Sequence, residues 1–145
     1  MARQETQAQD ALSTGGFWLA GQVKRLTATI SSRLKNSWSS AVKGEKPRGE
    51  NTEGGTKAKK QELVPTPNKA LVAWVGSSVS YAKDYEFGTA AHTITAKDAK
   101  VLSDGKNFFG KTVNHPGTQA YAPLRKAYNS NKKQLFRFLA GRMKK

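Results

Sequence analysis

Between residues 17 and 42 the apolar side chains Leu19, Val23, Leu26, Ile30, Leu34 and Trp38 recur at steps of three and four, with Lys24, Arg25, Arg33 and Lys35 between them. That spacing lines up one stripe of a 3.6-residue helix, so an amphipathic helix is expected here. Ser13 or Thr14 offers a cap for its start, while Gly15, Gly16 and Gly21 weaken its first turns. Residues 1–15 read as a mobile arm, and its polar part, 1–12, is expected to become helical only against a partner.

The pattern then changes. Residues 43–68 hold almost no large apolar side chain before Leu63 and Val64, too little buried surface to offset the entropy of ordering. A long flexible loop is expected, and loops beyond about 12–15 residues are usually functional or disordered. Leu71, Val72, Ala73, Trp74 and Val75 make a β-rich run stopped by Gly76, with both faces expected to be at least partly covered. Tyr81 to Phe87 fits a short helix or turn ending at Gly88, and Thr93-Ile94-Thr95 starts another extended stretch. Asp104-Gly105, between the runs 99–102 and 108–113, is a strong hairpin signal. Tyr121, Leu124, Tyr128, Leu135, Phe138 and Leu139 then fall largely on one face of a C-terminal helix. The order of helix, loop, small antiparallel sheet and helix is an α+β arrangement.

Composition sharpens this picture. At 145 residues the chain is the size of a single domain, 1–145, and its 37% apolar content lies below the roughly 45–50% of average globular domains, so some of its length should stand outside the core. The formal net charge is +15, which favours acidic partners such as nucleic acid, anionic membrane or acidic protein faces. Eight basic and no acidic residues follow Ala120. There is no cysteine, which excludes a disulfide scaffold and thiolate metal sites and suits assembly in a reducing cytoplasm. The start lacks an apolar signal core, and the uncharged run 70–82 is too short to span a bilayer, so a soluble protein with no membrane partner is expected.

Candidate chemistry is sparse. Gly105-Lys106-Asn107-Phe108-Phe109-Gly110-Lys111-Thr112 fits the phosphate-loop pattern G-x-x-x-x-G-K-[ST] letter for letter. That pattern binds phosphate only where a strand enters it and a helix leaves it, and Pro116 and Gly117 stop any helix within a turn of Thr112. A plain hairpin is expected instead, with no nucleotide and no other cofactor. His92 and His115 have no third ligand at metal-like spacing, so no metal site is expected and a structural role at the His115-Pro116-Gly117 turn is preferred. Asp84 and Glu86 point apart on a helix, which argues against paired acid-base catalysis, and no nucleophile-elbow sequence supports a serine triad. No catalytic residue is assigned. The inner side of the basic C-terminal helix reads as core, while its clustered charges keep binding to an acidic partner open.

Glu86-Phe87-Gly88-Thr89 after Tyr81-Ala82, then His92, Phe109-Gly110-Lys111, His115-Pro116-Gly117-Thr118 and Leu124-Arg125-Lys126-Ala127, occur in an order and spacing that resemble the small neck and tail-completion proteins of long-tailed double-stranded DNA phages. The likeness covers about residues 71–128. It departs at Ala122-Pro123, where the family usually has Pro-Phe, and in the Thr-Gly strand that often follows the first helix, for which 43–68 offers no match. The resemblance implies a small sheet packed by the two terminal helices and a purely structural, non-enzymatic activity. It also implies a virion location after assembly in the host cytoplasm, and a ring, hexameric or alternatively dodecameric, that joins the completed tail to the filled head. Its partners are then its own copies and the adjoining head-closure and tail-tube or terminator proteins, with DNA in the channel as a further candidate. In this reading Phe87 is expected to anchor in the core, Gly88 to allow a turn at positive φ, and Glu86 to accept a hydrogen bond or an intersubunit salt bridge. Arg125, Lys132, Lys133 and Arg137 join Glu86, Phe87 and Gly88 as candidate subunit or partner contacts. The competing reading is a basic nucleic-acid-binding module.

Overall fold

The structure, a computed structural model, describes residues 2–27, 32–49 and 57–144. It is mixed helix and sheet, as the pattern predicts: an N-terminal helix α1 (Ala2–Leu26), a short α2 (Ser32–Ser37), six short strands, a one-turn α3 (Ala82–Phe87) and a C-terminal helix α4 (Pro123–Met143). Two compact units emerge, one made of Met1–Ala82 with Ala122–Lys145, the other of Lys83–Tyr121.

In the first unit, α1 packs against α4 and against the antiparallel pair β1 (Ser39–Val42) and β2 (Ala73–Gly76), registered Ser39 to Gly76 and Val42 to Ala73. Ala11, Leu19, Ala20 and Val23 bury the inner face of α1, and Ala127 and Leu135 do so for α4. The helix already runs through 2–12, the segment whose polar composition suggested an arm. Gly15 and Gly16, read as weak points of the first turns, are contact points instead. A Cβ on Gly15 would lie 3.1 Å from Leu135 Cδ1 of α4, and one on Gly16 would lie 3.1 Å from Ser40 Cβ of β1. Close approach of neighbouring elements offsets the propensity cost of about 1 kcal/mol per glycine.

The single helix expected over 17–42 needs correction: α1 ends at Leu26, a separate α2 covers Ser32–Ser37, and Ser39–Val42 is a strand, buried along its whole length. Ser-Ser-Ala-Val carries no β signal, and burial on both faces removes the alternation by which a strand is recognised. Its hydroxyls serve buried backbone, with Ser39 Oγ accepting from Val64 N–H at 2.9 Å. Ser37 Oγ donates to the Leu34 carbonyl at 2.7 Å and lies 2.6 Å from Ser77 Oγ. Ile30, part of the predicted stripe, lies outside the described residues. Within 43–68, residues 50–56 also lie outside them, and the flanks make a bridge of Ser40 with Arg48, a 3-10 turn at Lys60–Glu62 and a bridge of Leu63 with Ser77. β2 begins two residues later than the apolar run, and Trp74 is 43% exposed, so its outer face is not covered as expected.

An ion pair secures the 3-10 turn. Arg33 Nε donates to Glu62 Oε1 at 2.7 Å, its Nη2 donates to the same oxygen, and Lys59 N–H donates to Glu62 Oε2 at 2.8 Å. The Arg33 hydrogen bond first, and the Lys59 N–H second, hold the Glu62 carboxyl below its ordinary value. A depressed folded value means stability that is present above the unfolded carboxylate value of about 4.3 and lost as pH falls through the lower folded one. The stability gap between the native chain and Glu62→Gln should therefore narrow on acidification below about pH 4, measured by urea unfolding at stepped pH. A gap that widens in acid would contradict the assignment.

Candidate functional site

The second unit carries most of the motifs of the resemblance, and the fold brings two of them together. α3 ends at Gly88 (φ 73°), whose N–H closes on the Asp84 carbonyl at 2.8 Å. After β6 (Thr112–His115) the chain turns at Pro116 and Gly117 (φ 89°). Thr89 and Thr118 then exchange both backbone hydrogen bonds at 3.0 Å, and their hydroxyls lie 3.1 Å apart. A Cβ on Gly88 would sit 2.5 Å from the Thr118 carbonyl oxygen, and one on Gly117 would sit 2.3 Å from the Thr89 carbonyl oxygen. The two Gly-Thr pairs, 29 positions apart in the chain, thus form one reciprocal junction in which each glycine makes room for the other segment's backbone. Stacked rings of Tyr85 and Tyr121, 4.5 Å between centroids, flank it.

The histidines meet at the same end. β3 (His92–Thr95) pairs with β6 so that His92 stands opposite His115, with ring centroids 5.1 Å apart. His92 Nδ1 lies 2.8 Å from the Ala90 carbonyl, which can only accept, and His115 Nδ1 accepts from Gly117 N–H at 3.0 Å. His115 thus builds the Pro-Gly turn, as expected. Its pairing with His92 had no local sequence signal, because register belongs to the sheet and the two lie 23 positions apart. Among the described residues, no group of three or more His, Cys, Asp or Glu converges on a point that could hold a metal ion.

The phosphate-loop pattern folds as a hairpin. β4 (Leu102–Ser103) pairs with β5 (Phe108–Gly110), and Thr112 opens β6, so a strand leaves the motif where a helix is required. Asp104 accepts from the N–H groups of Asn107 at 2.7 Å and Lys106 at 2.9 Å, and the Asn107 contact leads in holding its carboxyl low. This is a turn that organises itself and presents no N–H cradle to phosphate. Calorimetry with ATP or GTP and magnesium should register no binding, and saturable micromolar binding abolished by Lys111→Ala would overturn this.

The candidate contact residues occupy very different environments. Phe87, expected in the core, is 68% exposed, whereas its neighbour Glu86 is 4% exposed. On a one-turn helix adjacent side chains diverge by about 100°, so burying Glu86 turns Phe87 outward. A salt bridge from Glu86 to another subunit does not suit so buried a carboxylate, whereas Phe87 keeps most of its surface exposed. Arg125, Lys132, Lys133 and Arg137 all lie exposed on α4, as does Phe136. The hairpin adds Phe108 at 78% exposure and Phe109 at 50%. No sequence pattern marked these two as surface residues, since apolar alternation in a strand reports a covered face only when a second layer exists. In the first unit an open groove of about 430 Å³ runs between α1, β2 and α4, lined by Leu12, Leu19, Val75, Leu124 and Leu139.

No described helix is long and apolar enough to cross a membrane. No protein-family model, curated protein or solved structure matches the chain.

Proposed function

We propose that the chain is a structural subunit of the neck of a long-tailed phage, acting without catalysis as a closed ring that completes the tail and joins it to the DNA-filled head. The observation that carries this reading is the poor core of the unit Lys83–Tyr121. Only Glu86 and Ala96 are buried in it, while Phe87, Ile94, Val101, Phe108, Phe109 and Tyr121 are exposed. Two-stranded pieces of this kind are marginal alone in water, and exposed aromatics at this density mark surfaces that other chains cover. A head-to-tail contact that closes by rotation covers such a surface on every copy. The Gly88-Thr89 and Gly117-Thr118 junction gives the resembling motifs a shared purpose, which is to fix the base from which the hairpin projects.

Light scattering on a gel-filtration column tests this directly. The 15.8 kDa chain should elute as one species of about 95 kDa, six copies, or of twice that mass. A strict monomer at tens of micromolar, with Phe108 and Phe109 still solvent-accessible to hydrogen exchange in their strand, would count against it. The charge of +15 favours the second reading, a nucleic-acid-binding module, and steep salt-dependent DNA binding by a stable monomer would select it.

A further inference from the structure

We infer that the outward face of α4 is a sequence-independent contact for duplex DNA, a step that rests on the neck reading only in that DNA passes through the joint. At 100° per residue, Lys126, Lys132, Lys133 and Arg137 share an arc of about 140° that also holds Arg125 and the exposed Phe136. All five cations are exposed, and α4 contains no acidic residue. A merely solvated helix face mixes signs and gains from opposite charges three or four positions apart, but here Lys133 and Arg137 are a like-charge pair at that spacing. Lys126 stands in the first turn, where the helix dipole disfavours cations. Both arrangements cost the free helix stability, and an anionic partner relieves both.

Two features select DNA among anions. Membrane insertion needs the apolar stripe of a basic helix, but that stripe faces α1 within the same unit, with Ala127 and Leu135 buried. Over the roughly 18 Å from Arg125 to Arg137 a duplex presents about ten phosphates, so it can neutralise the whole arc in any register. A folded acidic protein would need carboxylates matched to each cation.

The test is fluorescence anisotropy of the full chain with a labelled 30-base-pair duplex between 50 and 200 mM salt. Lys126→Gln with Lys133→Gln and Arg137→Gln should flatten the salt dependence, so that affinity falls about 40-fold less than for the native chain across that range. A control with the same charge change in the unit Lys83–Tyr121, Lys97→Gln with Lys100→Gln and Lys106→Gln, should keep nearly the native dependence. Equal flattening by both variants would assign binding to diffuse charge, and a native slope in the helix variant would remove α4 from the contact. Competition by poly-glutamate as effective as that by duplex of equal total charge would make an acidic protein the partner. Each of these three results overturns the inference. The assay reads whatever oligomer the chain forms, so its failure leaves the mass of the ring as a separate question.

Discussion

Placing alanine at Gly117 should cost about 3 kcal/mol or more and release the junction between Thr89 and Thr118. Two effects act together there: a backbone at φ 89° that L-residues avoid, and a Cβ only 2.3 Å from the Thr89 carbonyl oxygen with the Ala90 and Ala91 backbone close behind. No flexible side chain can give way at that position, because the obstructing atoms are main chain. Gly105→Ala separates the two effects, since Gly105 has φ 90° but open space around its missing Cβ. It should cost only the conformational part, about 1–2 kcal/mol. Amide hydrogen exchange at Thr89 and Thr118 reads the outcome locally: fast exchange is expected in Gly117→Ala and near-native protection in Gly105→Ala. Equal protection in both variants would mean that the junction does not hold the motifs together.

The second large effect is on assembly and not on stability. Lys132→Glu with Lys133→Glu reverses charge at two exposed positions of α4, where individual charges contribute about 0–1 kcal/mol to folding. The circular dichroism spectrum and melting temperature should stay near native values. A contact that depends on a positive surface meets a negative partner, and reversing two of its charges places like charges face to face at a cost of several kcal/mol. If the proposed neck role holds, cells infected with a phage carrying the double variant should accumulate filled heads and unattached tails. Normal virion yield would remove this surface from the joint.

What was legible in the sequence follows from how local each signal is. The helical stripe of α4 from Leu124 to Leu139, the Asp104-Gly105 turn and the short helix ending at Gly88 are each specified within a few residues and appear where the pattern places them, whereas Tyr121, expected on that stripe, precedes the helix and stacks on Tyr85. β1 was hidden because Ser39, Ser40, Ala41 and Val42 are buried on both faces and have no periodicity to display. Phe87 departs from the expectation that a large aromatic lies inside, because the geometry of a short helix lets only one of Glu86 and Phe87 face inward, and the carboxylate does. The candidate site was legible as a set of motifs but not as an arrangement. That Gly88 meets the 118 backbone, and His92 meets His115, depends on strand register across more than twenty intervening residues.

On the proposed function, exposed Phe108 and Phe109, the Gly-Thr junction and the basic α4 face all serve a ring subunit at the head-tail joint. The most direct test of that proposal is cryo-electron microscopy of purified phage particles from cells that express the chain, with an antibody to the chain as a label. Label and a closed ring of density are expected at the junction between head and tail. Particles that are infectious and complete yet carry no copy of the chain would contradict it.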